Sequence, residues 1–470
     1  MRGAEITSLS GKPFVNVPAL NTNHRKSFNS SRMDRIFAST LLIFSLIYIF
    51  FNVILADEVD DQIAFDTSSQ HGLNVGIAEQ NMTGKRYLIY DVNPGEGFNL
   101  RRDVYLRVTN LIKILPKEQN WVLVLPPWRR LYHWRSPIHQ TGIPWKTFFD
   151  LKNLNFYVPV MDFEDFVRET GSSGIDEIIN LQRYAEGWKD GVFEEKIDDR
   201  PCIDNPVYHK GEDGLYRGYF WDMSEVFARK FKCISVQGTS AILKDVLVKS
   251  KSRSVFIDRF EEVLHIVYGQ KDYWEARRSL VFAKHLRDEG DKFRQKHLQS
   301  NDKDDKTEME DDWRKNHKKE GSAKGGPYLA VHLRRADFLY AHPEKVPSLD
   351  SVVKQIKKLL KKHKLKKVFL ATDADREDVK YLKSKLPLFK YTPSKSILEK
   401  YGDGGVAIID QWICAHARYF IGTCESTFSF RIHEERDILG FHADNTFNCL
   451  CGDKEEGKCE QPTRWRIVYD

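Results

Sequence analysis

The strongest constraint on the fold comes from residues 87–125, where an apolar run, an amphipathic helix pattern and a second apolar run follow one another. Residues 87–90 are apolar, and over residues 98–115 apolar side chains recur at steps of three and four, as on one face of a helix. Pro116 ends this helix, and residues 121–125 form the second apolar run. Two strands separated by one helix predict a parallel pair joined by a crossover, and therefore an α/β protein.

The same alternation begins again in the second half of the chain. Residues 288–324 are highly charged and have no apolar periodicity, which predicts a linker or an insertion. After this segment the pattern predicts strands over residues 328–333, 368–371 and 419–421, and helices over residues 349–360, up to residue 386, over residues 406–417 and from residue 427. We therefore predict two α/β halves, residues 84–287 and 325–470, on either side of a charged segment.

Residues 36–56 form a membrane-targeting segment. These 21 residues contain no charged side chain, and basic residues precede them while acidic residues follow them. The run is long enough to span a bilayer as a signal anchor, and Ala56 also offers a cleavage site for a signal peptide. We expect residues 1–56 to direct the chain into the secretory pathway, with cleavage and retention as an anchor both open.

In that pathway the seven cysteines are expected to form disulfides, although spacing alone does not fix the pairing. Cys451 and Cys459 are the close pair, and Cys202 with Cys233 is a second candidate pair. The other three are free or alternative partners: Cys414, Cys424 and Cys449. Asn81 begins an Asn-Met-Thr sequon and is a candidate glycosylation site.

The charge of the chain argues against nucleic-acid binding. Beyond residue 56 there are 67 basic and 65 acidic residues, a net charge of only about +2. A nucleic-acid partner requires clustered positive charge, so we expect none.

The loop after the first predicted strand contains Glu96 between Gly95 and Gly97. The carboxyl ends of strands are where α/β sheets bind ligands, and flanking glycines allow a substrate to approach a carboxylate closely. The local pattern alone favours a plainer interpretation, in which Asn93 or Glu96 caps the following helix.

Loops of the second half offer candidates for anion binding. Arg334 follows the strand predicted at residues 328–333 and could present a planar fork to a phosphate, with pairing to Asp337 as an equal alternative. Ser426 and Thr427 open a predicted helix whose start would attract an anion, although Ser426 also suits an ordinary helix cap.

Asp373 and Asp375 match the Asp-x-Asp pattern by which many sugar-nucleotide enzymes hold a divalent metal ion. Asp375, Glu377 and Asp378 equally suit the negatively charged first turn of a helix, and we favour that interpretation. The sequence has no zinc-binding spacing of His and Cys, no Walker loop and no Gly-x-Ser-x-Gly elbow.

From Arg86 to Tyr469 the chain resembles the protein O-fucosyltransferases that modify thrombospondin type 1 repeats. The stretches that carry the resemblance are long and unusual: YDVNPGEGFNLRRDVYLR, WVLVLPPWRRLYHW, QRYAEGWKDG, GGPYLAVHLRRADF, GGVAIIDQWICAHARYFIGT and STFSFRIHEER. The resemblance implies a GT-B architecture, with two Rossmann-like domains and with GDP-fucose and the acceptor meeting in the central cleft.

The resemblance also implies roles for individual residues. Glu96 matches the base that deprotonates a Ser or Thr hydroxyl, and Arg334 matches the arginine that contacts the departing diphosphate. Other positions match contacts to GDP-fucose: Gly95, Gly97, Phe98, Asn99, His332, Leu333, Asp410, Thr427 and Phe428. No metal is expected, because the start of the helix near Thr427 would take the charge of the diphosphate.

The chain departs from the family pattern at two places. It has Pro94-Gly95 where the family often has two prolines, and Cys424-Glu425 where small residues are usual. The resemblance supports Cys202–Cys233 and Cys451–Cys459 as disulfides, whereas the state of Cys424 stays open.

We therefore expect an inverting enzyme that transfers fucose from GDP-fucose to folded thrombospondin repeats. It would act as a monomer in the lumen of the endoplasmic reticulum, with the Golgi as a second location, or as an anchored type II membrane protein. Two alternatives remain: a fucosyltransferase for a glycan or an EGF-like repeat, and a non-catalytic factor that binds folded repeats.

Overall fold

The structure is a computed structural model, and it describes residues 84–187, 194–455, 459–462 and 465–469. The predicted targeting segment, residues 36–56, and the candidate glycosylation site Asn81 lie outside these residues. Within them, no helix is both long enough and apolar enough to cross a bilayer.

The first half contains a nine-stranded sheet within the described residues. Its strands are β1 Arg86–Tyr90, β2 Trp121–Leu125, β3 Val160–Asp162, β4 Gly174–Gln182, β5 Lys196–Asp199, β6 His209–Lys210, β7 Tyr216–Arg217, β8 Phe227–Gln237 and β9 Ser254–Asp258. They lie in the order β3-β2-β1-β9-β4-β8-β7-β6, and β5 pairs with β8 off this path. From β3 to β8 the pairing is parallel, and the short strands β5, β6 and β7 add antiparallel edges.

The second half contains a four-stranded sheet in which every pairing is parallel. Its strands are β10 Gly326–Leu333, β11 Val368–Thr372, β12 Leu388–Phe389 and β13 Ala417–Ile421, and their order is β12-β11-β10-β13. Two separate, mainly parallel sheets confirm the predicted α/β class and agree with the GT-B architecture that the resemblance implies.

Helices connect the strands of both sheets. In the first half they are α1 Phe98–Ile114, α2 Leu151–Asn155, α3 Phe163–Thr170, α4 Lys244–Lys249, α5 Lys271–Ser279 and α6 Lys284–Phe293. Those that follow are α7 Asp302–Asp305, α8 Phe338–Ala341, α9 Leu349–His363, α10 Arg376–Lys385, α11 Lys395–Ala415, α12 Thr427–Ile438 and α13 Ala443–Thr446.

The predicted crossover unit is present as β1, α1 and β2. The two strands pair in parallel, with Leu88 opposite Leu123, and every residue of β2 is buried, as expected where helices cover both faces of a sheet. In the apolar stripe of α1, Val104, Val108 and Leu111 are fully buried in the core. This packing holds the end of β1 in place, and the loop that contains Glu96 begins there.

One predicted helix of the second half requires correction at both ends. The helix predicted at residues 406–417 begins earlier, at Lys395, and is kinked at Gly402, whose φ is +63°. It ends at Ala415, and Ala417 already belongs to β13. The glycines of this segment hid the first part of the helix because glycine is a poor helix former.

The charged segment, residues 288–324, is folded and includes the end of α6 and all of α7. The fully buried Arg294 donates to Asp291 at 2.6 Å, to Asp302 at 2.8 Å and to Asp305 at 3.2 Å. Charged side chains of this segment therefore pair with one another around Arg294, which explains why the segment has no apolar periodicity. Where one half ends and the other begins stays a prediction.

Buried polar contacts join the two halves. Arg277 of α5 pairs with Glu434 of α12 at 2.6 Å, and neither side chain is exposed by more than 1%. Arg102 of α1 donates to Gln411 of α11 at 2.7 Å. Since an unpaired buried charge is costly, these contacts fix the start of α1 against the second half.

Candidate functional site

Glu96 lies in the loop between β1 and α1. Its amide donates to the Asn93 carbonyl at 2.9 Å and closes a tight turn, and Gly97 is the last residue before α1. The prediction of a side-chain cap is wrong, because Asn93 Oδ1 accepts instead from the Gly95 amide at 3.3 Å and no side-chain hydrogen bond caps α1. The Glu96 carboxylate accepts no hydrogen bond from the described residues, so it is available to a ligand.

One arginine of α1 holds this loop. Arg101 Nε donates to the Glu96 carbonyl at 3.1 Å, Nη2 donates to the Asn93 carbonyl at 3.1 Å, and Nη1 pairs with Asp91 at 2.9 Å. The sequence analysis did not single out Arg101, although an arginine in the first turn of the helix that follows the loop was a usable signal.

Burial raises the pKa of the Glu96 carboxyl, and the positive charges of Arg101, Arg107 and Arg259 oppose this rise. A carboxyl with a raised pKa is a stronger base once it is ionised than a carboxyl in water. The electrostatics of the loop therefore suit a group that removes a proton from a hydroxyl.

Arg334 follows β10 and is held by two carboxylates. It pairs with Asp337 at 2.7 Å and with Asp373 at 3.2 Å, and its side chain is only 16% exposed. The predicted alternative, a pair with Asp337, is thus present, but the pair is partly buried. The Arg334 amide donates to Thr423 Oγ1 at 3.0 Å, which ties this residue to the loop before α12.

His133 connects the Glu96 loop with Arg334. A Cβ atom at Gly97 would lie 3.3 Å from His133 Cε1, and Arg334 Nη2 donates to His133 Nε2. Burial and the charge of Arg334 lower the pKa of His133 to about 4, so the neutral ring can accept this hydrogen bond. Gly97 from the first half and Arg334 from the second half therefore both approach one imidazole. The sequence analysis quoted the stretch that contains His133 but did not single this residue out.

Of the residues of the second half predicted to contact the donor, Thr427 and Phe428 lie at the start of α12, and His332 of β10 packs against Phe428. His332 hydrogen-bonds Ser429 at 2.8 Å, stacks on Phe428 with ring centroids 4.4 Å apart, and has its pKa lowered by burial to about 3. Ser426 occupies the cap position of α12 but makes no capping hydrogen bond with its side chain, and Thr427 is exposed. Amides at an uncapped helix start form an anion site.

The remaining residues predicted to contact GDP-fucose differ in which of their atoms a ligand can reach. Asp410 is buried, its Oδ1 atom has no hydrogen-bond partner among the described residues, and burial raises its pKa to about 7. A buried oxygen without a partner can accept a hydrogen bond from a ligand. Phe98 and Leu333 are packed in the core, so only their backbone atoms can reach a ligand. Asn99 accepts from Gln411 at 2.9 Å and joins the two halves.

The two aspartates of the Asp-x-Asp pattern have other partners. Asp375 caps α10 by accepting from the Asp378 amide at 2.8 Å, as predicted. Asp373 Oδ1 accepts from the Arg335 amide at 2.7 Å, and its other oxygen faces Arg334.

The disulfides Cys202–Cys233 and Cys451–Cys459 are confirmed. A third disulfide joins Cys424 to Cys449, and Cys414 is a buried free thiol. This third bond lies beside the start of α12, where the Gly422 amide also donates to the Asn448 carbonyl at 2.8 Å.

Replacing both Cys424 and Cys449 by serine is expected to raise the KM for the nucleotide-sugar donor by about 10-fold, because the loop before α12 would lose its anchor and binding would have to order it. We expect a smaller change in kcat. The KM is measured in initial-rate assays, and the Cys202→Ser, Cys233→Ser double variant is the control, since that disulfide lies in the other sheet. Equal changes in KM for both double variants would contradict this prediction.

Comparisons with known proteins found a matching family. Residues 87–439 match the profile of a family described as "GDP-fucose protein O-fucosyltransferase". The chain is 56% identical over 388 residues to "GDP-fucose protein O-fucosyltransferase 2" of Homo sapiens, with 82% of this chain and 90% of the relative covered. It is 47% identical to the protein of the same name from Caenorhabditis elegans, with 82% and 91% covered.

Among solved structures, the chain is similar to one titled "Crystal structure of POFUT1 in complex with GDP-fucose", at 18% identity and a TM-score of 0.49. The match covers 82% of this chain and 98% of that one.

Proposed function

The chain belongs to the family of GDP-fucose protein O-fucosyltransferases, and from this premise we propose that it transfers fucose, with inversion, to Ser or Thr hydroxyls of folded thrombospondin type 1 repeats. One observation carries the mechanism: the Glu96 carboxylate accepts no hydrogen bond in the described chain, and the next residue, Gly97, lies close to the His133 ring to which Arg334 donates. A base and a cation held in this way suit a single displacement at a sugar carbon.

In the proposed step, Glu96 removes the proton of the acceptor hydroxyl while its oxygen attacks the anomeric carbon of fucose. The bond from that carbon to the β-phosphate oxygen breaks, and its electron pair leaves with GDP. Arg334 and the amides at the start of α12 offset the negative charge that develops on the diphosphate. Because attack and departure occur on opposite faces, the configuration at the carbon is inverted.

We further propose that the donor is bound without a metal ion. Asp375 is used as a helix cap, and Asp373 accepts from backbone amides and pairs with Arg334, whose positive charge disfavours a metal ion beside the same carboxylate. The orphan oxygen of Asp410 suits the N–H donors on the edge of a guanine base.

The disulfides bear on where the protein acts. Three disulfides in the described residues favour an oxidising compartment. Together with the charge-free segment at residues 36–56, they support our proposal that the enzyme acts as a monomer in the lumen of the endoplasmic reticulum, or also in the Golgi.

The acceptor proposal is tested with purified residues 57–470 and labelled GDP-fucose. Folded thrombospondin repeats, the same repeats after reduction, and EGF-like repeats are compared as acceptors. We expect transfer to the folded thrombospondin repeats alone. Preferential transfer to EGF-like or reduced repeats would contradict the proposed acceptor, and binding to folded repeats without transfer would favour a non-catalytic factor.

A further inference from the structure

We propose that Arg101 is the positioning residue that fixes the Glu96 loop in the orientation that proton abstraction requires. This inference rests on the proposed role of Glu96. Arg101 itself acts through the loop and reaches the reacting atoms only by way of Glu96.

The guanidinium of Arg101 bonds three points of the chain at once. It binds the carboxylate of Asp91 at the end of β1, the carbonyl of Asn93 in the turn, and the carbonyl of Glu96 itself. Arg101 is only 7% exposed, and its own amide donates to the Gly97 carbonyl at 3.1 Å within the first turn of α1. A single planar group therefore joins the strand, the turn and the helix.

The same turn is also held from its other side. The Asn93 amide donates to Glu261, which follows β9, at 3.2 Å. Arg101 therefore binds the carbonyl of Asn93, and Glu261 binds the amide of the same residue. Gly95 and Gly97 give the backbone of this loop many accessible conformations. The contacts with Arg101 and Glu261 therefore restrict the loop to one of them.

Arg101 also adds charge near the base. The charged groups that face Glu96 are Arg101 and Arg107 from α1, and Arg259 and Glu262 from the segment after β9, and the titratable Tyr132 also lies near it. Burial raises the pKa of Glu96, and Arg101 is the foremost group that lowers it. Glu96 acts as a base only when it is ionised, so losing this positive charge would move the acid limb of the pH–rate profile to higher pH.

Two variants separate the geometry from the charge. Arg101→Gln removes both the charge and most of the hydrogen bonds, whereas Arg101→Lys keeps the charge but loses the planar fork. For Arg101→Gln we expect kcat to fall about 100-fold and the acid limb to move to higher pH. For Arg101→Lys we expect a similar fall in kcat with the acid limb unchanged. The affinity for GDP, measured by calorimetry, is expected to stay within about 3-fold in both variants.

Hydrogen–deuterium exchange of residues 91–100 provides a readout that needs no catalysis. Both Arg101 variants are expected to exchange faster in this segment, whereas the rest of the protein exchanges as before. Lys113→Gln is the matched control, because it removes a positive charge from the far end of the same helix, where Lys113 pairs with Asp272 and Glu275.

The possible outcomes distinguish this inference from the proposed function. If the wild type transfers no fucose, the proposed function fails, and the exchange of residues 91–100 still decides whether Arg101 fixes the loop. Unchanged exchange in both Arg101 variants would overturn the inference, whatever the activity. Wild-type kcat and an unmoved acid limb in Arg101→Gln would also overturn it.

Discussion

Replacing Glu96 by alanine is expected to lower kcat for fucose transfer by about 10³-fold, while the affinity for GDP stays close to that of the wild type. The carboxylate has no hydrogen bond to the described residues, so its loss should leave the loop held by Arg101 and Glu261. Without the base, the acceptor hydroxyl must lose its proton to water. Single-turnover rates and calorimetric titration with GDP measure the two quantities.

Glu96→Gln is the companion variant, because it keeps the shape of the side chain but cannot accept the proton; it should lose activity to a similar extent. Glu118→Ala is the control, since Glu118 is an exposed carboxylate in the turn after the same helix. In the wild type, burial raises the pKa of Glu96, so activity should fall as pH decreases through that raised pKa. Near-normal turnover by Glu96→Ala would show that another group removes the proton.

Replacing Arg334 by alanine is expected to lower kcat by about 10²- to 10³-fold and also to weaken GDP binding. The change removes the cation opposite the departing diphosphate. It also leaves the carboxylates of Asp337 and Asp373, which Arg334 neutralises at 2.7 and 3.2 Å, close to a ligand of the same charge. Donor binding is measured by titration with GDP, and kcat by transfer at saturating donor.

Arg334→Lys should recover part of the GDP affinity but little of kcat, because an ammonium group lacks the planar fork by which Arg334 contacts two carboxylates and His133. Arg376→Ala is the matched control, since Arg376 is an exposed arginine at the start of α10. Wild-type kcat in Arg334→Ala would contradict a role in stabilising the leaving group.

Local patterns predicted much of the fold. The apolar run at residues 121–125 coincides with β2, and the helix predicted from residue 98 ends within one residue of its predicted end. These elements are specified by their own periodicity. The charged segment could not be predicted in this way, because Arg294 finds its carboxylate partners through the folding of the chain.

The candidate site was likewise predicted only in part from the local sequence. The local pattern singled out Glu96 as a glycine-flanked carboxylate after a strand but favoured a helix cap, and only the family resemblance gave it the role of a base. Arg334 was singled out because it follows another strand. The contacts of His133 with Gly97 and Arg334 span up to 201 residues, and nothing near His133 in the sequence indicates them. For Phe98, the sequence indicated its place at the start of α1 but not the burial of its side chain in the core.

Cysteine pairing shows why geometry was needed. The pair Cys424–Cys449 could not be chosen over Cys414 from spacing, because the choice depends on the approach of Gly422 to residues 448–450. Cys414 is instead buried in α11.

The most direct test of a single displacement with Glu96 as the base is the configuration of the product. Purified residues 57–470 are incubated with GDP-fucose and a folded thrombospondin repeat, and the anomeric configuration of the attached fucose is determined by NMR. Fucose linked to a Ser or Thr oxygen with the configuration opposite to that in the donor is expected. Retention of the donor configuration would contradict the single displacement and the role of Glu96 within it.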